Sequence, residues 1–219
     1  PGNGRYREFL QADFDIIGNT NPAQSNAELC NLISATLLEC GLKKDQFTIN
    51  VSNRKIVQGL INELKISEEK QSKVIRAIDK LDKPGFGLSG VEALLKKERK
   101  DASGAITKGA DLKNDQVTQI LDFLKIEDLK TLKNKLTNPL SQEGIKELED
   151  FFDILEFGNN KNQIRTNFTI VRGLAYYDGF IVETNLNFEV KNDKEKTIDI
   201  GSICSGGAYA KLISRFKGV

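Results

Sequence analysis

The sequence contains no histidine, and this absence removes several classes of chemistry. A chain without imidazole has no histidine general base, no Ser-His-Asp triad and no histidine-ligated metal. It has three cysteines, Cys30, Cys40 and Cys204, and none of them forms a CxxC pair. This spacing does not support a zinc site, and an odd, sparse set of cysteines is typical of a reducing compartment. We therefore expect no bound metal, and a site built from arginine, carboxylate and tyrosine side chains.

Methionine is also absent, and the chain begins at Pro1. A natural reading frame begins with methionine, and neither end carries a recognisable cap or tail, so we interpret the chain as an internal fragment. It has no signal peptide and no apolar run of about 18 residues, the length that a transmembrane helix needs. The sequence therefore predicts a cytoplasmic protein that does not use a membrane. Its 32 basic and 31 acidic side chains neither indicate nor exclude a nucleic-acid partner.

Composition and hydrophobic spacing divide the chain into three zones, residues 1–64, 65–165 and 166–219. In the first zone, alternating apolar residues predict strands, and apolar residues at helical spacing predict helices. This zone is predicted to form strand, helix, strand and helix at residues 5–18, 27–38, 46–52 and 53–64. Such an order is expected for one part of a domain that mixes helices and strands.

The middle zone changes to strong helix formers with many lysine and glutamate residues, and we predict a helical insertion there. Three apolar stripes have helical spacing, so short helices in a small bundle would bury them. The stripes are Val74, Ile75, Ile78 and Leu81; Val117, Ile120, Leu121 and Leu124; and Ile145, Leu148, Phe151, Phe152 and Leu155. The basic cluster of Lys96, Lys97, Arg99 and Lys100 could face RNA, but a solvated helix end is the simpler interpretation.

The third zone is rich in β-branched and aromatic residues. Three strands are predicted there, at residues 168–174, 180–190 and 197–203. We expect a hairpin turn at residues 192–194, and we expect Gly206 and Gly207 to end the last strand before a helix near Ala208. Strands on both sides of a helical insertion predict an α+β domain built on an antiparallel sheet.

Two segments of the third zone carry residues suited to chemistry. Arg172, Tyr176 and Tyr177 lie at the end of a predicted strand. An arginine can hold a phosphate or carboxylate through its planar guanidinium, and a tyrosine hydroxyl can anchor a small polar ring. Residues 201–207 end the last strand in small side chains, which let a backbone approach a ligand closely. Each pattern also has a simpler structural interpretation, packed tyrosines in the first case and a bend in the second.

The opening strand presents polar side chains on one face, because alternate residues of a strand share a face. Phe9, Gln11, Asp13 and Asp15 would lie together there. A glutamine and two aspartates are polar for a core, so this face suggests a binding surface. The glycine-rich segment at residues 201–207 lacks a P-loop lysine and is not a dinucleotide-binding fingerprint, so neither of those phosphate sites is indicated.

These segments resemble the motifs of one family, the class II histidyl-tRNA synthetases. Residues 4–9, with Gln11 and residues 15–18, are similar to the second motif that defines the class. Residues 171–177 resemble the family's histidine-recognition signature, and residues 201–209 resemble its glycine-rich strand and turn. The order and spacing of these motifs agree over almost the whole chain. The helical zone is more faintly similar to the insertion of α-proteobacterial-type members.

The resemblance implies a partial class II catalytic core, of the α+β class with an antiparallel sheet, that carries a helical insertion. The implied activity is the charging of tRNA(His): ATP activates histidine to histidyl-adenylate, and the histidine then passes to the tRNA. Mg²⁺ would assist the first step. The implied partners are therefore L-histidine, ATP and tRNA(His), and full-length members of the family form homodimers.

Residue by residue, the resemblance assigns the catalytic role to Arg172, which would stabilise charge at the α-phosphate and bind the histidine carboxylate. The other histidine-binding residues that it implies are Gln11, Asp15, Tyr176, Tyr177 and Tyr209. Arg5 and Arg7 match loop residues near ATP and the tRNA acceptor end.

The chain departs from the family at Ala175, Ala208 and Ala210, where an acidic residue, an arginine and an aspartate are usual. The first and third class motifs and the anticodon-binding domain have no counterpart in this sequence, so we expect no adenylation by the isolated chain.

A second interpretation is a synthetase-like regulatory subunit of ATP phosphoribosyltransferase, which senses histidine without charging tRNA. Arg172 and the helical zone favour the synthetase, whereas the three alanines leave the alternative open. A purely structural role, a third interpretation, would involve no ligand.

Overall fold

The computed structural model of the chain describes residues 7–18, 21–83, 85–100, 106–155, 163–171, 177–192, 194–198 and 200–212. The helices in these ranges are α1 (Pro22–Glu39), α2 (Arg54–Glu63), α3 (Glu68–Ile78), α4 (Gly87–Leu95), α5 (Asn114–Phe123), α6 (Leu129–Lys135) and α7 (Pro139–Leu155). The strands are β1 (Phe47–Asn53), β2 (Glu98–Lys100), β3 (Ile106–Lys108), β4 (Ile164–Thr166), β5 (Phe180–Leu186), β6 (Val190–Lys191), β7 (Thr197–Ile198) and β8 (Ser202–Gly207). The predicted α+β class is confirmed. Across the described ranges, no helix has both the length and the apolar character needed to cross a membrane.

Four strands form the main sheet, in the order β4-β1-β5-β8. β1 is antiparallel to β5, and β5 is antiparallel to β8, as the sequence predicted. β4 instead runs parallel to β1, so the sheet is mixed. A long connection through helices precedes β4, and such a connection permits parallel pairing where a tight turn would not. The β2–β3 and β6–β7 ribbons form two separate two-stranded sheets. Because α4 ends at Leu95 and β2 begins at Glu98, the basic cluster of Lys96, Lys97, Arg99 and Lys100 runs from the end of α4 into β2 rather than ending a helix.

One face of the main sheet packs into the hydrophobic core. Ile49 and Val51 alternate along β1, and both are fully buried. The register of β1 and β5 places Val182 opposite Val51, so both strands present apolar side chains to the same side. α7 covers this face, where the centroid of the Phe151 ring lies 4.9 Å from that of Phe180. The apolar run of α7 is thus buried against the sheet.

Small residues allow α2 and α7 to cross at very short range. Gly59 of α2 faces Ser141 of α7, and a Cβ added to Gly59 would lie 2.5 Å from the Ser141 backbone nitrogen. The buried Ser141 hydroxyl donates to the Ile56 carbonyl at 3.0 Å. Further along α7, a Cβ added to Gly144 would lie 3.0 Å from Lys55 Cβ. Because the two backbones nearly touch, α7 is fixed relative to the first residues of α2.

Two predicted strands are wrong over the residues that the structure describes. Residues 7–18 contain no strand, because no described strand pairs with them and alternation alone does not satisfy backbone hydrogen bonds. Residues 168–171 contain no strand either, because they begin in a turn in which Asn167 Oδ1 accepts from the Thr169 backbone nitrogen at 3.0 Å. That local bond competes with a strand ladder. The rest of this predicted strand, residues 172–174, lies outside the described residues.

The glycine pair near the end of the chain also differs from the prediction. β8 continues through Gly206 and Gly207, which pair with β5 instead of ending the strand. A glycine inside a strand commonly marks a place where another group approaches the backbone. Helical residues begin at Ala210, close to the predicted start. The hairpin is confirmed by the antiparallel β6 and β7 on either side of the turn that follows Asn192, while Asp193 lies outside the described residues.

The middle zone, residues 65–165, packs against the rest of the chain. Its three apolar stripes are confirmed as buried faces of α3, α5 and α7, with Val74, Ile120 and Phe151 each 0% exposed. However, α7 contacts α1 and α2, and β4 begins at Ile164 within the zone and joins the main sheet. One hydrophobic cluster includes residues of all three zones. The division into three domains stays a prediction.

We predict that Gly59→Ala lowers the free energy of unfolding by about 1–3 kcal/mol, because the new methyl group overlaps Ser141 in a packed crossing. The control is Gly206→Ala in β8, where an added Cβ would meet Val182 Cγ1 at 3.5 Å, an ordinary van der Waals contact. Urea denaturation of both variants measures the difference. Equal stability of the two variants would contradict the close crossing.

Candidate active site

A cleft of about 870 Å³ lies between β8 and the helices α1, α2 and α7. The irregular segment of residues 12–18 forms one of its walls. The polar side chains that line it include Asp15, Arg54, Glu147, Tyr177, Asp178 and Tyr209. A concave site with convergent polar groups is the usual place for a small-molecule substrate.

Asp15 and Tyr209 meet across this cleft. The Tyr209 hydroxyl donates to Asp15 Oδ1 at 2.5 Å, although 194 positions separate the two residues in the sequence. This hydrogen bond, with smaller contributions from burial and from the charge of Asp15, raises the pKa of Tyr209 to about 12. Tyr209 is therefore a neutral phenol at physiological pH, and its one proton is committed to Asp15.

Tyr177 and Tyr209 are held side by side by an extension of the β5–β8 ladder. The Asp178 backbone nitrogen donates to the Ala208 carbonyl at 2.9 Å, and the Ala208 nitrogen donates to the Phe180 carbonyl at 2.8 Å. The Asp178 carboxylate in turn accepts from the Lys211 backbone nitrogen at 2.8 Å. The segments before β5 and after β8 thus run together, and each brings one tyrosine to the cleft.

Arg54, the first residue of α2, is a polar residue of the cleft that the sequence did not indicate. Its backbone nitrogen donates to the Gly179 carbonyl at 2.8 Å, which fixes the start of α2 against the turn before β5. Burial lowers the pKa of the Arg54 guanidinium, and the nearby Asp178 carboxylate opposes that shift. No motif marks this arginine, because its place in the cleft depends on where β1 ends.

A second group that the sequence did not indicate connects α7 to the end of β1. Glu147 Oε2 accepts from Asn53 Nδ2 at 2.5 Å, and Glu147 Oε1 lies 2.5 Å from Lys55 Nζ. Lys55 Nζ also contacts Glu143 Oε1 at 2.8 Å. Burial lowers the pKa of Lys55, but the hydrogen bonds to the two glutamates outweigh it, so the pKa is raised. Lys55 therefore remains charged and ties the two elements together.

Of the site residues that the sequence suggested, Asp15, Tyr177 and Tyr209 line the same cleft. Gln11 and Arg7 are exposed and do not line it. The other three, Arg5, Arg172 and Tyr176, lie outside the described residues, as does Ala175. The part of the chain that is described contains no group of three or more cysteine, aspartate or glutamate side chains that could hold a metal ion.

The whole sequence, residues 1–219, matches the family model for histidyl-tRNA synthetase. The chain belongs to the histidyl-tRNA synthetase family. Histidine–tRNA ligase from Pelagibacter ubique (strain HTCC1062) is 73% identical over 218 residues, which cover 100% of this chain and 47% of that relative. The chain thus spans about half the length of the curated relatives that it matches.

Solved structures agree with this membership of the synthetase family. The crystal structure of histidyl-tRNA synthetase from Nostoc sp. PCC 7120 aligns with a TM-score of 0.70 and 27% identity, over 91% of this chain and 43% of that one. A Bacillus halodurans structure described as an ATP phosphoribosyltransferase regulatory subunit/histidyl-tRNA synthetase aligns with a TM-score of 0.66 and 17% identity, over 89% and 45%. The second likeness concerns the fold alone. The fold is the partial catalytic core of a histidyl-tRNA synthetase.

We predict that Asp15→Asn lowers the pKa of Tyr209 from about 12 towards the ordinary value of about 10, because the anionic acceptor is lost. Because the pKa of Tyr209 is raised in the folded protein, the Asp15–Tyr209 hydrogen bond contributes its full stability below about pH 10. This contribution is lost as the pH rises through about 12 and the phenol loses its proton. Ultraviolet titration of the tyrosines, compared with a Tyr209→Phe chain, measures the shift.

Asp13→Asn is the matched control for this titration. Asp13 raises the pKa of Tyr209 only through its charge and less than Asp15 does, so its removal should produce a smaller shift. Equal shifts from the two substitutions would contradict the hydrogen bond to Asp15.

Proposed function

We propose that the chain is the histidine-activating part of a histidine–tRNA ligase, which uses ATP to form histidyl-adenylate and then transfers histidine to tRNA(His). The observation that carries the proposal is the meeting of Asp15, Tyr177 and Tyr209 in one cleft of a synthetase-family core. Three separate motifs of the sequence contribute these residues, and the fold brings them to one site for a small substrate.

The direction of the hydrogen bond between Tyr209 and Asp15 supports recognition of an imidazole ring. The phenol of Tyr209 gives its proton to Asp15, so towards a substrate the phenol oxygen acts as a hydrogen-bond acceptor, which suits an N–H donor. Neutral imidazole carries one such N–H. Asp15 keeps further lone pairs, with which it would hold the α-ammonium group of the substrate. Tyr177 would contact the ring from the neighbouring wall.

Arg172 would supply the electrostatic part of the reaction. The carboxylate of histidine attacks the α-phosphorus of ATP, the bond to pyrophosphate breaks, and pyrophosphate carries away the electron pair. A guanidinium beside the attacking carboxylate and the α-phosphate stabilises the charge that develops there, with no need for a proton-transfer base. Such chemistry suits a chain that contains no histidine side chain. Arg5 and Arg7 would contact ATP and the tRNA acceptor end.

Mg²⁺ is proposed as a companion of ATP rather than as a resident ion. In nucleotide sites this ion keeps several water ligands and binds through the phosphates with few protein carboxylates. That chemistry fits the cleft, where both carboxylate oxygens of Glu147 already contact Asn53 and Lys55. When bound with ATP, Mg²⁺ would neutralise phosphate charge.

We further propose a cytoplasmic location and a homodimeric full-length protein. Three cysteines without CxxC spacing suit a reducing compartment. The dimer is proposed from family membership alone. The regulatory-subunit alternative has weaker support, because the Bacillus halodurans likeness at 17% identity concerns the fold, whereas the 73% identical relative is a histidine–tRNA ligase.

The decisive test replaces the matching segment of the Pelagibacter ligase with this chain, so that the rest of a ligase surrounds the cleft. We predict histidine-dependent exchange of pyrophosphate into ATP and charging of tRNA(His) by this chimera. The matched Arg172→Ala chimera should lose exchange by about 100-fold or more, since it lacks the charge-stabilising group. Histidine binding without exchange or charging would reject the ligase and favour the histidine sensor.

In the same chimera, we predict that Tyr177→Phe raises the KM for histidine about 10-fold and leaves kcat nearly unchanged, because it removes one hydrogen bond that binds the substrate and the transition state alike. The KM for ATP and the thermal midpoint are internal controls, and neither should move. An unchanged histidine KM would exclude the hydroxyl of Tyr177 from the pocket.

A further inference from the structure

Gly207, at the end of β8, lies directly against the ring of Tyr177. A Cβ added to Gly207 would stand 2.9 Å from Tyr177 Cγ, 3.0 Å from Ile181 Cγ2 and 3.0 Å from the Phe180 carbonyl oxygen. Real Cβ atoms essentially never come as close to another heavy atom as the first of these distances. The ring of Tyr177 therefore fills part of the space that any side chain at position 207 would need.

The neighbouring Gly206 differs from Gly207 in this respect. A Cβ added to Gly206 would meet Val182 Cγ1 at 3.5 Å, which is an ordinary van der Waals contact. Gly207 does not have a positive φ, so its backbone conformation is open to other residues. The requirement for glycine at position 207 thus comes from space and not from conformation.

Hydrogen bonds hold the backbone next to Tyr177 in place against β8 and its extension. The Asp178 nitrogen donates to the Ala208 carbonyl at 2.9 Å, and the Ala208 nitrogen donates to the Phe180 carbonyl at 2.8 Å. These bonds tie the residue after Tyr177 to the residue after Gly207. A side chain at position 207 would therefore turn the Tyr177 ring at its root, and the hydroxyl at the far end of the ring would move further than the root.

We propose that Gly207 is a positioning residue, whose missing side chain lets the base of the Tyr177 ring approach β8 closely and so sets the place of the Tyr177 hydroxyl in the cleft. The consequence for histidine rests on the proposed function, whereas the placement of the ring does not. Since a displacement of about 1 Å can cost a site up to about 100-fold, a small turn of the ring is enough to weaken binding.

The placement of the ring can be tested without any substrate. The chain has four tyrosines, so labelling with 3-fluorotyrosine gives four fluorine signals, and Tyr177→Phe identifies one of them. Gly207→Ala should shift the Tyr177 signal more than Gly206→Ala does. A Tyr177 signal that moves no further in Gly207→Ala than in Gly206→Ala would overturn the proposal.

The effect on histidine is tested by a double-mutant cycle in the Pelagibacter chimera. Gly207→Ala should raise the KM for histidine about 10-fold or more, with a smaller change in kcat and none in the KM for ATP. In a Tyr177→Ala background, Gly207→Ala should have almost no further effect, because the ring that it displaces is absent. Equal effects in the two backgrounds would mean that Gly207→Ala disturbs the strand generally, which would overturn the proposal. A parent chimera with no histidine-dependent activity would instead reject the proposed function, and the fluorine spectra would still decide the placement.

Discussion

The crossing of α2 and α7 at Gly59 and Ser141 is the contact on which the cleft depends. It brings α7 close enough for Glu147 to accept from Asn53 and to pair with Lys55, at the point where β1 ends and α2 begins. Asn53 also caps α2, since its Oδ1 accepts from the Lys55 backbone nitrogen at 3.0 Å. The helix crossing, the cap and the ion pair therefore stabilise one another at the base of the site.

This base then positions the walls of the cleft. The backbone nitrogen of Arg54, the first residue of α2, donates a hydrogen bond to the Gly179 carbonyl. Gly179 lies in the turn before β5, directly after the cleft residues Tyr177 and Asp178. A loosened crossing would separate Lys55 from the exposed Glu143 and the partly buried Glu147, and would leave the Glu147 charge poorly compensated. α7 packs its apolar face on the sheet, and Glu147 in the middle of the same helix makes the polar contacts of the cleft. The position of α7 therefore affects both the hydrophobic core and the site.

The sequence was sufficient where the information is local or carried by a motif. Helical and strand spacing predicted α1, α2, β1 and β5, and the motifs suggested Asp15, Tyr177 and Tyr209, which line one cleft. Three-dimensional neighbours decided the rest. Residues 7–18 alternate like a strand but have no described pairing partner, and Glu147 and Arg54 reach the cleft only because α7 and α2 pack as they do. No residue pattern within a short window reports such contacts.

The 194-residue separation of Asp15 and Tyr209 has a consequence for the order in which the protein is made. At roughly 5–20 residues per second, the ribosome adds Tyr209 about 10–40 seconds after Asp15. By then β1, α2 and α7, all synthesised in between, have had time to collapse onto one another, since collapse takes at most about 100 μs. The Asp15–Tyr209 bond can therefore form only after the whole base of the cleft has been synthesised, and a nascent chain that stalls before residue 209 cannot complete this wall.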